Sequence, residues 1–259
     1  MKQTISAVIA VKNEEEIIKE CLTALAWVDE IIIIDNNSTD NTLKICRKFT
    51  KSIYSVKEKL LIPELQQKGI EKATKKWIIV LDADVIVPKK SAEEIKQKIQ
   101  SNYDGFYLIH KNYFLGKPLK CHFKSHKILK LFRNGKAYFE GKASHEDIYF
   151  IGNKVGIINS YLIHYAHPSI NTFIRKINLY SSQDAKKLFS GEKAGILHRK
   201  ITSLNIYRLF IEPILYFFHF LIIRKAFLDG IRGIILSEIL SIYVFLERTK
   251  LYEIKEARK

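Results

Sequence analysis

Four consecutive isoleucines at 31–34 constrain the fold of this chain more than any other feature of its sequence. An uninterrupted β-branched run of this kind is typical of a central parallel strand that is covered on both faces. Apolar runs at 5–11 and 77–81 predict two more buried strands, and helical patterns such as that of 14–26 lie between them. We therefore expect an α/β fold with a mainly parallel central sheet and helices on both faces.

The pattern changes at about residue 105. Short β-like pieces lie among glycine, lysine and aromatic residues as far as 165, and the sequence is helical in character after Pro168. The chain thus divides into a first domain at 1–167 and a C-terminal helical region at 168–259.

The apolar part of the C-terminal region, 209–246, bears on membrane association. Charged residues, including Arg224, Asp229 and Arg232, interrupt it, so neither half offers the roughly 20 apolar residues of a membrane span. Two core helices fit this pattern. Helices that lie on a membrane surface fit it too, and we favour them because cations flank many aromatic residues. Four of these aromatic side chains are expected to enter the acyl boundary: Phe217, Phe218, Phe220 and Phe227.

The composition excludes several classes of protein. With 47% hydrophobic and 27% charged residues, the chain can bury a core and is not globally disordered. Three widely spaced cysteines make neither a disulfide framework nor a zinc knuckle. The 43 basic residues exceed the 27 acidic ones and give a net charge of +16. This excess indicates a polyanionic partner, which could be nucleic acid, an anionic bilayer or a phosphorylated substrate.

The first strands lack the glycines that nucleotide-binding loops commonly use. No glycine precedes Gly69, which excludes both a dinucleotide-binding turn and a phosphate-cradling P-loop after the first strand. Acidic and amide residues follow the predicted strands instead, at 13–14, at Asp35 and at 82–84. Because ligands of open α/β sheets bind at the carboxyl ends of the strands, these residues mark the candidate site.

Asp82 and Asp84 stand two positions apart at the end of a predicted strand. With the period of two of a strand, both carboxylates can project to the same side, where they repel each other unless a cation lies between them. Mg²⁺ or Mn²⁺ bound by one or two carboxylates and by phosphate oxygens would fit that place. The pair therefore indicates a metal–diphosphate site, and a simple cap of the following loop is the alternative.

These strand ends, together with later motifs, resemble glycosyltransferase family 2, the inverting GT-A enzymes, and within it the lipopolysaccharide core β-1,4-glucosyltransferase group. The resemblance covers nearly the whole chain. It rests on the segments 6–15, 31–42, 77–84, 114–117, 131–136, 144–146, 162–165, 227–230 and 250–253. It implies a GT-A catalytic domain at 1–167, a UDP-sugar donor and a metal ion.

The resemblance also implies a role for each matching residue. Val11, Asn13, Glu14 and Asp35 would line the nucleotide pocket, where the Asp35 carboxylate would accept from the uracil N–H. Asp82 would meet the ribose or the metal region, and Asp84 would ligate the metal. His145 would either assist in orientation or be a further metal ligand, and Glu146 would be the general base.

One segment departs from the family pattern. Relatives carry an apolar-aromatic, proline and acid stretch before the Leu-Phe-Arg, whereas this chain has cations and histidines at 122–127. The departure lies on the acceptor side and leaves the identity of the acceptor open.

The chemistry of sugar transfer agrees with these roles. The leaving diphosphate needs its charge neutralised, by a metal and by cations such as Arg133. The acceptor hydroxyl must lose a proton as it attacks the anomeric carbon, and a single base on the face opposite the leaving group gives inversion.

The sequence thus predicts a metal-dependent hexosyltransferase that moves a hexose, glucose by resemblance, from a UDP-sugar to a lipopolysaccharide core or another lipid-linked cell-envelope glycan. We expect it at the cytoplasmic face of the inner membrane, as a peripheral protein on anionic lipid. A transferase that loads polyprenyl phosphate is one alternative. A nucleic-acid-binding protein that uses the basic patch at 111–136 is another, although the acidic strand ends argue against it, and a non-catalytic membrane scaffold is a third.

Overall fold

The structure is a computed structural model. It describes residues 3–58, 60–121, 123–139, 148–167, 169–196, 199–201 and 203–257. The chain forms two compact units, the first made of 1–111 and 125–165 and the second of 112–124 and 166–259. The second unit includes 112–124, a segment that the sequence places in the first domain.

The described residues form eleven strands and seven α-helices. The strands are β1 (Ile5–Val11), β2 (Glu30–Asp35), β3 (Ile53–Ser55), β4 (Trp77–Asp82), β5 (Val85–Ile86), β6 (Gly105–Phe114), β7 (Lys117–Pro118), β8 (Ser125–Arg133), β9 (Ala137–Phe139), β10 (Ile148–Phe150) and β11 (Val155–His167). The helices are α1 (Ile18–Thr23), α2 (Thr42–Cys46), α3 (Ile62–Lys72), α4 (Lys89–Lys98), α5 (Ile170–Phe189), α6 (Glu212–Phe218) and α7 (Ile231–Glu256).

The main sheet has the strand order β3-β2-β1-β4-β8-β6-β11-β5, with β7 paired to β6. Strands β1 to β4 pair in parallel, as the alternation of strands and helices predicts. From β5 onward the described pairings are antiparallel, because the chain after α4 connects its strands without intervening helices. Strands β9 and β10 form a separate antiparallel ribbon. The α/β fold is confirmed, with a sheet that is parallel in one half and antiparallel in the other.

The isoleucine run shows why both faces of the sheet are covered. Ile33 packs into the core on one face, together with α1 and α4, whereas Ile32 and Ile34 pack into the core on the other face, together with α3. At Gly69 a Cβ atom would lie 2.2 Å from Val8 Cγ1, so only glycine permits the close contact of α3 with β1.

The second unit is built on α5, α6 and α7. Apolar side chains from these helices, from 219–223 and from 112–124 share one core, which includes Phe114, Phe173, Phe220 and Leu236. π-helical segments at Tyr207–Ile211 and His219–Ile223 flank α6, and a 3-10 turn at Ala226–Asp229 precedes α7. No helix within the described part of the chain is both long enough and apolar enough to cross a membrane.

Candidate active site

Asp35 and Val11 end two adjacent parallel strands and pair directly with each other in the sheet. The Asp35 side chain is buried, and its Oδ1 accepts from the backbone N–H of Ser38 at 3.1 Å. The Asn36 N–H donates to the Val11 carbonyl at 2.9 Å, which fixes the start of the loop after β2. The carboxylate is thus held at the carboxyl edge of the sheet.

Asn13 and Glu14 connect the loop after β1 to the loop after β2. The Asn13 Oδ1 accepts from the Thr39 N–H at 2.8 Å, and the Asn13 N–H donates to Ser38 Oγ at 3.0 Å. The Glu14 N–H donates to Thr42 Oγ1 at 2.8 Å. Asn13 has a φ of 55°, a left-handed conformation that asparagine tolerates better than most residues. The structure therefore brings together the four residues expected to line the nucleotide pocket.

Asp82 ends β4 at the same edge of the sheet. Ala10 of β1 pairs with Asp82 on one side and with Ile34 on the other, so Asp82 and Asp35 lie two strand spacings apart, roughly 10 Å. The Lys130 ammonium lies 3.0 and 3.2 Å from the two Asp82 oxygens, and the Gln66 side chain donates to Oδ1 at 3.2 Å.

The Asp82–Lys130 pair sets the charge of the site. Desolvation would raise the pKa of Asp82, but the Lys130 ammonium outweighs it and holds that pKa below its ordinary value. Lys130 itself is almost fully buried, with a side chain only 1% exposed. Asp82 is therefore ionised, and the Lys130 ammonium already neutralises its charge.

Asp84 is also buried and lies beside a histidine of β11. Its Oδ1 is 3.6 Å from His164 Nε2, and its backbone carbonyl accepts from the Tyr165 N–H at 2.9 Å. The short β5 that follows pairs with β11, with Val85 opposite His164, and this pairing brings the two side chains together. An oxygen and a nitrogen ligand thus lie side by side at the expected metal position.

Three histidines gather next to these carboxylates. His110 on β6, His126 on β8 and His164 on β11 have ligand nitrogens that all lie within 4.8 Å of one another. Burial, followed by the neighbouring His126, lowers the pKa of His110 to about 3, so His110 is neutral at physiological pH.

Arg133 lies away from this group. It pairs with Trp77 at the start of β4, whereas Asp82 is at the end of that strand, about 17 Å away at the rise of a strand. Its Nε donates to the Tyr103 carbonyl at 2.8 Å, and its guanidinium stacks over the Trp77 ring. The structure does not bring Arg133 to the strand ends, whereas the Lys130 ammonium does lie there, against Asp82.

His145 and Glu146 lie outside the described residues. Strands β9 and β10, on either side of that gap, pair with Ile148 opposite Phe139. The Phe139 N–H donates to Gln67 on α3 at 2.9 Å. The roles expected for His145 and Glu146 remain predictions from the sequence.

Sequence reasoning missed Lys130, Gln66 and His110. The sequence does indicate a special role for Lys130, because a lysine inside the apolar run 128–132 needs a buried partner. Gln66 and His110 give no such signal, since their partners are distant in sequence and depend on the order of the strands.

Comparisons with known proteins agree with this geometry. The family model described as glycosyl transferase family 2 matches residues 6–161. An uncharacterised glycosyltransferase of Rickettsia conorii is 27% identical, over 98% of this chain and 91% of its own length. The lipopolysaccharide core biosynthesis glycosyltransferase LpsC of Rhizobium meliloti is 24% identical, over 97% of this chain and 93% of its own.

A solved structure shares the fold. S. aureus TarS, residues 1–349, superposes with a TM-score of 0.51 at 16% identity, over 98% of this chain and 92% of that one. The same protein in complex with UDP-GlcNAc gives a TM-score of 0.52. The family model covers more than half of the chain, including the strand-end residues described above. The chain belongs to glycosyl transferase family 2 and is a glycosyltransferase.

Proposed function

We propose that this glycosyltransferase moves a hexose, with inversion, from a UDP-sugar to a lipid-linked glycan of the cell envelope. The observation that carries the proposal is the row of Asp35, Asp82 and Asp84 at one edge of the sheet, with Lys130 on the middle carboxylate. The resemblance of nearly the whole chain to LpsC supports an acceptor in the lipopolysaccharide core. Glucose as the donor sugar rests on the family resemblance of the sequence.

The nucleotide is assigned to the loops after β1 and β2. Asp35 offers a fixed carboxylate that can accept from the uracil ring N–H, and the linked Asn13 and Glu14 form the adjoining wall. TarS, which shares the fold, binds UDP-GlcNAc. A buried acceptor rejects bases that have no ring N–H to donate, so this carboxylate favours uracil over cytosine and adenine.

The residues near Asp84 suit a divalent metal ion. Asp84 lies two residues beyond Asp82, and its Oδ1 is 3.6 Å from His164 Nε2, so these two side chains can serve as ligands of a cation. Mg²⁺ or Mn²⁺ bound there would neutralise charge on the leaving diphosphate. Asp82, with its bound ammonium, would then orient the ribose side of the donor.

The general base is assigned to Glu146 and rests on the sequence motif alone. A carboxylate within hydrogen-bond reach of the acceptor hydroxyl takes its proton as the bond to the anomeric carbon forms, worth about 10²–10⁴ in rate. Glu146→Gln should therefore bind donor normally and lose transfer. Transfer within about threefold of the native rate would remove Glu146 from the mechanism.

The surface of the second unit supports a peripheral membrane position. Large apolar side chains that are exposed run from the π-helical segment before α6 into α7, and they include Phe210, Ile214, Phe218, Ile222, Ile223, Phe227, Ile231 and Ile234. Phe220, which the sequence assigned to the membrane face, is instead buried against Phe123 and Tyr216. Exposed apolar side chains in this number support an interaction site, and the basic character of the chain favours anionic lipid.

Donor specificity is tested by incubating the purified full chain with UDP-, GDP- and dTDP-sugars plus Mn²⁺ and measuring release of each nucleotide. We expect release of UDP alone. Asp84→Asn should abolish Mn²⁺-dependent UDP binding in calorimetry. Glu93→Gln, an exposed carboxylate on α4, is the charge-matched control. Unchanged binding in Asp84→Asn would show that the metal assignment is wrong.

Membrane binding is tested by flotation of the protein with vesicles. We expect binding to vesicles that contain anionic lipid, release by high salt or alkaline carbonate, and weaker binding of Phe218→Ser and Phe227→Ser. Phe220 offers no control because its loss would damage the core, so the exposed Tyr54→Ser of the first unit serves instead. Retention until detergent is added would contradict a peripheral position.

A further inference from the structure

Three neighbouring strands each contribute one histidine to a single cluster. His110 and His126 stand directly opposite each other in the antiparallel pairing of β6 with β8. His164 lies on β11, which is next to β6 in the sheet. Side chains opposite each other across a strand pair lie about 5 Å apart at Cβ, so the sheet itself holds these imidazoles together.

The rings are close enough to share one ion. Their centroids are 5.0 Å apart for His110–His126 and 5.7 Å for each of the pairs with His164. The ligand nitrogens lie within 4.8 Å of one another. Nitrogens bound to one tetrahedral ion at about 2.0–2.1 Å lie roughly 3.4 Å apart, so the three imidazoles would draw closer together on binding it.

The buried imidazole of His110 is not fully hydrogen-bonded within the described part of the chain. Its side chain is 1% exposed, and its Nε2 has no hydrogen-bond partner in the described part of the chain. Buried polar atoms of this kind need a partner, and a bound ion can supply one. His126, in contrast, is exposed, so an ion can enter from solvent.

We propose that His110, His126 and His164 bind one divalent transition-metal ion of the Zn²⁺ class. Imidazole nitrogens suit Zn²⁺, Co²⁺ and Ni²⁺, whereas Mg²⁺ takes oxygen ligands. Asp84, 3.6 Å from His164 Nε2, is the carboxylate partner that ligating histidines commonly have. The site shares His164 and the neighbouring Asp84 with the diphosphate metal of the proposed function, and it adds His110 and His126, to which that function assigns no role.

The segment that departs from the family pattern contributes to this site. His126 belongs to the stretch 122–127, in which cations and histidines replace the acid of relatives. The segment that leaves the identity of the acceptor open thus contributes one nitrogen ligand, that of His126, to the proposed site.

The test uses the untagged full chain, freed of metal by dialysis against EDTA. Co²⁺ is titrated and followed by its visible absorption, and Zn²⁺ is then used to displace it. We expect one equivalent to bind to the native protein. We expect His110→Gln and His126→Gln to bind at least about a hundredfold more weakly, since loss of an outer partner alone costs about 10–100-fold.

His219→Gln is the matched control, because His219 lies in the second unit, outside the cluster. Circular dichroism in EDTA checks the fold of each variant. If His110→Gln fails to fold, His126→Gln decides, since His126 is exposed. Native-like Co²⁺ binding by His126→Gln would overturn the proposal, and so would binding that Asp84→Asn abolishes while His126→Gln retains it.

UDP binding with Mn²⁺, measured on the same proteins, separates this inference from the proposed function. Loss of the Co²⁺ signal with intact UDP binding in His126→Gln supports an ion that the histidines hold and that donor binding does not need. Zn²⁺ binding by a native protein that binds no UDP-sugar would support this site and contradict the proposed function. Absence of Zn²⁺ binding in a protein that still binds UDP would overturn this site alone.

Discussion

Replacement of Lys130 by methionine tests how the site holds its charge. The Lys130 ammonium contacts both oxygens of Asp82 at 3.0 and 3.2 Å, and its side chain is 1% exposed. Methionine keeps most of the apolar stem of lysine and removes the terminal ammonium group. The Asp82 carboxylate would then lose its cation while Gln66 remains its hydrogen-bond donor.

The expected loss of stability follows from the burial of the pair. Removing one partner of a fully buried ion pair costs about 3–5 kcal/mol. Because the Asp82 side chain is 30% exposed, water can solvate the remaining carboxylate in part. We therefore expect Lys130→Met to lower the free energy of unfolding of the first unit by roughly 2–3 kcal/mol.

The assay is urea unfolding in EDTA, followed by tryptophan fluorescence. Both tryptophans, Trp27 and Trp77, belong to the first unit, so the signal reports that unit. Lys127→Met, an exposed position on the same strand, is the control and should change stability by less than about 0.5 kcal/mol. Asp82→Asn combined with Lys130→Met should recover part of the loss. A Lys130→Met protein as stable as the native one, or additive effects of the two substitutions, would refute the reasoning.

Three further predictions follow from other contacts. Hydrogen bonds from Ser160 and Asn159 outweigh desolvation and lower the pKa of Glu94 from 4.5 to about 2, so its stabilisation is present above pH 4.5 and lost toward pH 2. Urea unfolding should thus show Glu94→Gln less stable by about 2–3 kcal/mol at pH 7 and equal to the native protein near pH 2; an equal deficit at both values would contradict this. Asp229→Asn should speed hydrogen exchange at the Lys120 and Cys121 amides, which donate to this carboxylate at 3.0 Å, and unchanged exchange would count against the contact. Gly69→Ala should cost about 1–3 kcal/mol in urea unfolding, and Val8→Ala should relieve part of that cost.

Much of the first unit could be predicted from local sequence. The runs that become β1, β2 and β4 are apolar at successive positions because each strand is covered on both faces, and this signal needs no knowledge of the partner strands. The carboxylates after these strands could be placed at one edge because parallel strands have their carboxyl ends on the same side of the sheet. The order in which later strands join the sheet has no such local signal, since it depends on pairings such as that of β8 with β4.

The candidate site was therefore predicted in part. Asp35 and Asp82 follow from their positions at strand ends, whereas Lys130 and the histidines reach the site only because β8, β6 and β11 lie beside β4. The sequence prediction placed Arg133 near the diphosphate, but the structure places it elsewhere. It is three residues from Lys130, but along a strand that distance moves it to the far end of β4, where Trp77 and Asp104 hold it.

The charges in the C-terminal region require a different interpretation from the one that the sequence suggests. Asp229 and Arg232 interrupt the apolar pattern, yet both side chains are hydrogen-bonded within the second unit. The Asp229 carboxylate accepts from the Lys120 and Cys121 N–H groups, and Arg232 donates to the Phe114 and Lys117 carbonyls at 3.0 and 3.1 Å. Because these side chains are used within the second unit to hold 112–124, they impose no desolvation cost on the outer surface. That surface can meet a lipid interface with its exposed aromatic and aliphatic side chains, while these internal contacts keep the unit intact.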